Sequence, residues 1–324
     1  MTTTRMRATR ALAGAVLLSL LGACAGITDN TTTPAPSFAP PQPVGVKNPA
    51  EIPNAAAGAP TNCDVRRSSL RPGSGNQATG PAVSAIKSRG RLVVGVDQNT
   101  YLFGYRDPDS GQIVGFDIDM LREVAFDLFG DRNAIQFVAI TSAQRIPAIQ
   151  NNQVDLVAET MTITCERLQQ VDFSSVYFEA GQRVLVPKDS TATGIADLGG
   201  KTVCAADGST SIRNIATAAS KPIPVSVPDW TDCLVLLQQG QVAAISTDDT
   251  ILQGLAAQDP NVKLVGDKFT DEPYGIAVNK NANDLLRFVN RTLERIRADG
   301  TWQAIYTRQL KTAAPTPPPA GYRD

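Results

Sequence analysis

The chain of 324 residues contains no histidine, and this limits the chemistry that its side chains can perform. A Ser-His-Asp or Cys-His nucleophile needs imidazole as its base. His-ligated zinc, iron and haem sites need imidazole as a ligand. All of these are therefore excluded. Carboxylates, Lys and Arg can still act as acids and bases, or hold a charged ligand.

Asp117 and Asp119 would form a catalytic pair only if their carboxylates faced each other, as in glycoside hydrolases. Two residues apart on one helix, they point in different directions. Asp117 is placed to cap the helix predicted for residues 117–129, and solvation accounts for Asp119. These two residues therefore do not indicate a catalytic carboxylate pair.

The first 23 residues have the pattern of an export signal. Three arginines precede an apolar run, residues 11–21, which is too short to span a bilayer. The run ends in Leu-Gly-Ala-Cys at Cys24, which resembles the bacterial lipobox, whose Cys is lipidated. A plain secretory signal with a chance Cys is the alternative. We expect an anchor on the outer face of the cytoplasmic membrane, in an extracytoplasmic or periplasmic location.

Proline separates the folded body from the ends of the chain. Six prolines lie between residues 34 and 49, and four lie between residues 315 and 319. Segments 24–62 and 312–324 cannot bury enough apolar surface to fold alone, so we predict a disordered tether and a disordered tail. The folded body is residues 63–311. The whole chain contains 30 basic and 31 acidic residues, and these form no block of like charge. Nucleic acid is therefore not an expected partner.

Short apolar runs rich in β-branched residues alternate with helical patterns along the folded body. This alternation predicts an α/β fold with largely parallel sheets, and two similar halves predict two lobes. Strands are predicted at 91–96, 112–116, 134–140, 155–158, 182–186, 202–205, 224–227, 242–246 and 275–278, and helices at 117–129, 144–151, 164–170, 209–220, 230–239, 248–257, 281–299 and 300–311.

Four cysteines remain after Cys24, and export favours two disulfides. Three pairings of four cysteines are possible. Cys204–Cys233 is favoured because both residues fall in the second half of the body, and this leaves Cys63–Cys165. Free buried thiols are the alternative.

One stretch is far more specific than these patterns. From residue 154 the chain reads VDLVAETMTITCER, followed by VDFS and Tyr177. This resembles the matching block of the bacterial extracellular solute-binding proteins of family 3, which bind polar amino acids for ABC importers. Further blocks match in order over residues 87–310. The resemblance implies a periplasmic-binding-protein-like fold with lobe 1 at 63–180 and 275–311, lobe 2 at 182–272, two crossover strands and a ligand cleft. It implies no catalysis, cofactor or metal.

The resemblance also assigns roles to individual residues. A buried amino acid needs a cation for its carboxylate and an anion for its ammonium. Arg167 stands where the family places the arginine for the α-carboxylate, and Asp248 where it places the carboxylate for the ammonium. A solvated surface arginine and a plain helix N-cap are the alternatives. Further matches to ligand-contact positions are Thr160, Thr162, Thr210 and Ser211.

The residues expected around the side chain of the ligand give two opposing indications of ligand specificity. Arg145 aligns with an arginine that acidic-amino-acid binders use, and Asp97 with an aspartate that accepts from an amide. A free Arg145 would favour Glu or Asp, and an Arg145–Asp97 pair would suit Gln or Asn. We expect both kinds of ligand, with the acids slightly favoured. Other members of the family stack an aromatic ring on the ligand, and Ser142 stands at one such position here. Tyr101, Phe103 or Tyr274 would then supply this contact. The alternative is that Phe103 or Tyr101 is a core residue.

In such a protein the ligand touches both lobes and shifts the population toward the closed state. A monomer would present that closed state to an ABC permease or to a membrane sensor protein. The alternative is an extracellular enzyme on the same two-lobed fold, related to murein lyases or dehydratases. Because the implied site contains only Arg, Asp, Thr and backbone groups, we expect binding to be independent of pH between about 5.5 and 8.

Overall fold

The computed structural model describes residues 40–52, 63–73 and 80–324. The predicted export signal and the lipidation site Cys24 lie outside these residues. Within the described ranges the helices are α1 (Pro81–Arg89), α2 (Phe116–Phe129), α3 (Arg145–Gln150), α4 (Thr210–Thr217), α5 (Trp230–Gln238), α6 (Asp249–Gln258), α7 (Asn283–Ala298) and α8 (Thr301–Leu310). The strands are β1 (Leu92–Val96), β2 (Asn99–Thr100), β3 (Gly104–Arg106), β4 (Ile113–Val114), β5 (Ile135–Ala139), β6 (Leu156–Val157), β7 (Asp172–Phe173), β8 (Phe178–Ala180), β9 (Gln182–Pro187), β10 (Thr202–Ala206), β11 (Ile223–Val227), β12 (Ala244–Asp248), β13 (Val262–Val265), β14 (Glu272–Tyr274) and β15 (Ala277–Val278).

Lobe 1 is built on a sheet with strand order β5-β1-β6-β15-β7. β1 runs parallel to β5 and β6, while β15 is antiparallel to both of its neighbours. Apolar side chains of α1, α2, α7 and α8 share one core with this sheet, and the largest of them, Trp302, is fully buried. A second cluster joins α3 to the other side of β6 and β15. The sheet is therefore covered on both faces.

Lobe 2 is built on a sheet with strand order β11-β10-β12-β9-β13. β10 runs parallel to β11 and β12, and β9 is antiparallel to β12 and β13. The α/β class predicted from the sequence is confirmed. The sheets are mixed rather than largely parallel, because β9 and β15, each of which follows a crossing between the lobes, enter their sheets in the reverse direction.

The chain crosses between the two sheets at a two-stranded ribbon. β8 and β14 pair antiparallel, with Glu272 opposite Ala180 and Tyr274 opposite Phe178. The sequence predicts crossover strands near residues 182–186 and 273–277, with lobe 2 beginning at residue 182. Residues 182–186 belong to the lobe 2 sheet, as part of β9 (Gln182–Pro187). We call the β8–β14 ribbon the hinge ribbon.

Both disulfides have the pairing that the sequence favours. Cys204–Cys233 joins β10 to α5 within lobe 2, and Cys63–Cys165 ties residues 63–73 to the turn that precedes Arg167. The Cys204 and Cys233 side chains are fully buried in the lobe 2 core.

The described parts of the predicted tether and tail pack on the lobes. Lys47 pairs with Ser226, on the edge strand β11 of lobe 2. Tyr322 is buried and donates to Glu294 at 2.7 Å, and its backbone pairs with Ser69. The prediction of disorder considered only the apolar surface of each segment, whereas these segments pair with a sheet edge and bury a tyrosine against the body.

Among the described residues no helix combines the length and the apolar character needed to cross a membrane.

Candidate functional site

The site residues lie where strands of the two sheets end. Asp97 follows β1, Thr160 follows β6, Gly208 follows β10, and Asp248 is the last residue of β12. In α/β sheets, ligands bind outside the carboxyl ends of the parallel strands. The two sheets place these ends toward each other, since Gly208 of lobe 2 is hydrogen-bonded to two arginines of lobe 1.

Arg145 and Arg167 meet at the backbone carbonyl of Gly208. Nη2 of Arg167 donates to this oxygen at 3.1 Å and Nη2 of Arg145 donates to it at 3.3 Å. Gly208 has φ +74, and a Cβ there would lie 2.7 Å from Cα of Ala143. Only glycine allows both this backbone conformation and this close approach of the two lobes.

The remaining hydrogen bonds of the two guanidinium groups also go to carbonyl oxygens. Arg167 donates to Thr162, and Arg145 donates to Ser142 and Glu159. Each arginine is 3% exposed, and neither forms an ion pair with a carboxylate of the described residues. Burial, followed by the charge of Arg145, lowers the pKa of Arg167 to about 9. Two buried cations without an ion pair have the chemistry to accept the negative groups of a ligand.

Asp248 offers a complementary negative group. Its Oδ2 accepts from the Tyr274 hydroxyl at 2.5 Å, whereas its Oδ1 is buried and has no partner. Asp248 occupies the N-cap position of α6, but its side chain makes no capping hydrogen bond. Burial, followed by the charge of Glu272, raises the pKa of Asp248 well above its usual range. A ligand ammonium would supply the donor that Oδ1 lacks.

Thr160 is held by Asp117, a carboxylate that the sequence interpretation assigned to helix capping. Its N–H donates to Oδ2 of Asp117 at 2.8 Å, and the Tyr177 hydroxyl donates to Oδ1 at 2.6 Å. Thr160 has φ +42, a left-handed conformation that a non-glycine residue rarely adopts. The predicted capping role of Asp117 is wrong, because α2 has Gly115 as its N-cap and Asp117 is 1% exposed. Burial raises the pKa of Asp117 to about 6.

Asp119 is also not solvated, because its carboxylate accepts from Arg308 and Gln309 of α8.

Asp97 is occupied by its own turn. Its Oδ1 accepts from the N–H groups of Gln98 and Asn99 at 2.6 and 2.8 Å, and its Oδ2 accepts from the Thr100 hydroxyl at 2.5 Å. Burial raises its pKa. The Arg145–Asp97 pair considered from the sequence is absent from the described contacts, so the arrangement matches the alternative in which Arg145 is free.

Two buried glutamates border the site and were missed by sequence reasoning. Glu159 has a buried Oε2 without a partner, and burial raises its pKa well above the usual range. Glu272 accepts from the Thr162 hydroxyl at 2.6 Å and from the Thr210 hydroxyl at 2.8 Å. Both lie within or beside blocks that resemble the family, at 154–177 and 273–277, which was the available signal.

The hydroxyl groups of two serines at the start of α4 form hydrogen bonds within lobe 2. Ser209 caps the helix through Ile212 N–H, and the Ser211 hydroxyl lies 3.0 Å from that of Thr247. Thr210, the first residue of α4, turns its hydroxyl toward Glu272.

The three aromatic candidates fall in different surroundings. The Phe103 ring is fully buried among Phe116, Phe178 and Tyr274, which accounts for it as a core residue of lobe 1. Tyr274 reaches the site through Asp248. Tyr101 is half-buried, and its carbonyl approaches Gly254 of lobe 2 so closely that a Cβ there would lie 2.6 Å away.

A cavity of about 270 Å³ lies between the lobes beside the two arginines. Residues of α3 and of the turn around Arg167 form its lobe 1 wall, and residues 208, 209, 212 and 213 form its lobe 2 wall. The described residues contain no cluster of Cys, Asp and Glu that could hold a metal ion.

Comparisons with known proteins agree with this architecture. Residues 92–312 match the bacterial extracellular solute-binding proteins, family 3. The ABC transporter glutamine-binding protein GlnH of Bacillus subtilis is 43% identical over 230 residues, which cover 71% of this chain and 84% of that protein. The glutamate-binding protein GluB of Corynebacterium glutamicum is 32% identical over 248 residues, which cover 73% of this chain and 84% of that protein.

A solved structure, an ancestral arginine-binding protein bound to glutamine, is similar with a TM-score of 0.65 and 37% identity. The match covers 69% of this chain and 99% of that one. From Cys165, the Cys204–Cys233 pair and the lipobox-like motif, the sequence suggested a closer resemblance to actinobacterial glutamine-binding lipoproteins of this family. The glutamine-binding relatives found are from Bacillus subtilis and Geobacillus stearothermophilus. The chain belongs to the bacterial extracellular solute-binding proteins, family 3, and is a binding protein rather than an enzyme.

Proposed function

We propose that this protein binds acidic amino acids and their amides (Glu, Asp, Gln and Asn), with the two acids favoured. The observation that carries this proposal is the pair of buried guanidinium groups, Arg145 and Arg167, which share the Gly208 carbonyl and have no carboxylate partner among the described residues.

The zwitterion of the ligand accounts for one half of the site. Arg167 takes the α-carboxylate, because a guanidinium matches the geometry of a carboxylate. The unpartnered Oδ1 of Asp248 takes the α-ammonium. A buried charge is stable only when it is paired and hydrogen-bonded. The ligand supplies an anionic partner to Arg167 and a cationic donor to Asp248 at the same time.

The side chain of the ligand accounts for the other half. Arg145 has hydrogen bonds only to carbonyl oxygens, so its charge is left for a distal carboxylate. Asp97 and Asp117, two of the nearby carboxylates, have hydroxyl and N–H partners of their own. The third, Glu159, accepts from the Ser142 hydroxyl at 3.4 Å, and burial raises its pKa well above the usual range, which favours its neutral form beside Arg145. An amide can bind the same guanidinium through its oxygen, with weaker attraction. Relatives named for glutamine and for glutamate support this range of ligands.

Closure of the cleft follows from the distribution of these groups. Arg145 and Arg167 belong to lobe 1, and Asp248 belongs to lobe 2, so a ligand that contacts all three binds the closed state more tightly. An ion pair between Glu166 and Arg213 also joins the lobes. A monomer anchored through a lipid on Cys24 presents this closed state, outside the cytoplasmic membrane, to an ABC permease or a membrane sensor.

A thermal-shift screen against the twenty amino acids tests the proposal. A ligand at about a thousand times its Kd stabilises the folded state by roughly 4 kcal/mol. We expect the largest shifts with Glu and Asp, smaller shifts with Gln and Asn, and none with Lys or Arg. The absence of a shift with all four expected ligands would refute the proposed ligand class.

A further inference from the structure

Glu272 occupies a special place in the fold. It is the first residue of β14 and so lies in the hinge ribbon, opposite Ala180 of β8. It is 2% exposed and forms no ion pair with the described residues. A buried carboxylate in this position needs several donors.

Its donors come from both lobes. The Thr162 hydroxyl of lobe 1 donates to Oε2 at 2.6 Å, and the Thr210 hydroxyl of lobe 2 donates to the same oxygen at 2.8 Å. Oε1 accepts from the Thr270 hydroxyl at 2.8 Å and from the Asn214 amide at 3.2 Å. One oxygen atom therefore bridges the two lobes.

The bridged residues belong to the turns that carry the ligand site. The Thr162 carbonyl accepts from Arg167, and Thr210 lies two residues after Gly208, whose carbonyl accepts from Arg145 and Arg167. If the cleft opens at the hinge ribbon, the Thr162 and Thr210 hydroxyls separate, and Glu272 can keep only one of them. The other hydrogen bond must be replaced by water.

We infer that Glu272 is a positioning residue that stabilises the closed state by joining the two ligand-binding turns through one carboxylate oxygen. It contacts the ligand in neither state. This role rests on the proposed function only in the expectation that closure favours ligand binding. The bridge itself acts in the ligand-free protein.

The test measures lobe separation in the ligand-free full chain with both disulfides intact. Spin labels carried by non-canonical amino acids at Asn151 and Ala219, both exposed, report the distance between the ends of α3 and α4 by pulsed electron resonance. We expect Glu272→Ala to shift the distribution toward longer distances, and Glu272→Gln to stay close to the unsubstituted protein, because an amide can still bond both hydroxyls.

Two threonine variants separate bridging from local structure. Thr210→Val removes the lobe 2 donor and should lengthen the distance, with no additional lengthening in the double variant with Glu272→Ala. Thr270→Val removes a donor to the same carboxylate that lies only two residues before it in the chain, so the distance should not change. Equal effects of Thr210→Val and Thr270→Val, or an unchanged distribution in Glu272→Ala, would overturn the inference. If Glu272→Ala does not fold, the comparison of the two threonine variants decides.

Ligand affinity provides the second measurement. Glu272→Ala removes the hydrogen bonds that this carboxylate accepts from both lobes. Because hydrogen bonds to a charged group are strong, the variant should bind every ligand about 10- to 100-fold more weakly, mainly through faster dissociation. Weakening confined to one ligand would contradict a role in closure. Failure of every amino acid to bind the unsubstituted protein would refute the proposed function, while the ligand-free comparison would still decide the role of Glu272.

Discussion

The Tyr274 hydroxyl donates to Oδ2 of Asp248 at 2.5 Å and leaves Oδ1 of the same carboxylate buried without a partner. Tyr274 belongs to the hinge ribbon and Asp248 to lobe 2, so this hydrogen bond joins the two and fixes the orientation of the carboxylate. It also favours the ionised form of Asp248 against the large effect of burial on its pKa. The carboxylate that we propose for the ligand ammonium is thus held by a residue that need not touch the ligand.

Tyr274→Phe should weaken binding of all four proposed ligands by about tenfold or more, since it removes a hydrogen bond to a charged group. The losses should be equal among ligands because all of them carry the same ammonium. Isothermal titration calorimetry measures the effect. Tyr322→Phe is the matched control: it removes the hydroxyl that donates to Glu294 on the tail and should leave every Kd unchanged.

Asp117→Asn should change the pH dependence of stability. Burial raises the pKa of Asp117 to about 6 in the folded state, against about 4 in the unfolded chain. The folded state therefore holds this proton more tightly, and the free energy of unfolding falls by about 3 kcal/mol in total as the pH rises from well below 4 to well above 6. In urea unfolding at several pH values, the Asn variant should show a shallower decline. Parallel curves for the two proteins would contradict the assignment.

This titration also bears on ligand binding. The expectation of pH-independent binding assumed unperturbed carboxylates. Burial raises the pKa of Asp117 into the range above pH 5.5 and shifts the pKa values of Glu159 and Asp248 upward as well. We therefore expect binding to vary with pH even though the chain contains no histidine.

Removal of the Cys63–Cys165 disulfide should lower the stability of the folded protein. The two cysteines are 102 residues apart, and constraining a loop of this size in the unfolded chain contributes about 4 to 5 kcal/mol by the loop-entropy argument. The double variant Cys63→Ser and Cys165→Ser should show this loss in urea unfolding. A loss under about 1 kcal/mol would mean that the unfolded state does not gain the freedom that this argument assumes.

Much of the architecture follows from local patterns. The alternation of apolar runs and helices indicated the α/β class. Helices α7 and α8 lie where they were predicted and are shorter by one or two residues at each end. Helix α1 was missed because only Val83 and Ile86 are buried on it, which leaves little apolar periodicity to detect. Its remaining signals were Pro81 at its start and Gly90 after its end.

The site was predictable only where a residue's role is recorded in a motif. The resemblance proposed Arg167, Arg145 and Asp248. The two arginines line the cavity between the lobes, whereas Asp248 is not among its lining residues. The roles of Asp117 and Glu272 depend on which donors reach a buried carboxylate from distant parts of the chain. Composition and spacing do not contain that information.

The most direct test of the proposed ligand preference is calorimetric titration of Glu and Gln into the unsubstituted protein and into Arg145→Met. We expect Glu to bind the unsubstituted protein more tightly than Gln. The substitution should weaken Glu by about 100-fold and Gln by no more than about tenfold, because only Glu places a charge beside Arg145. Tighter binding of Gln by the unsubstituted protein, or equal losses for the two ligands, would contradict the account.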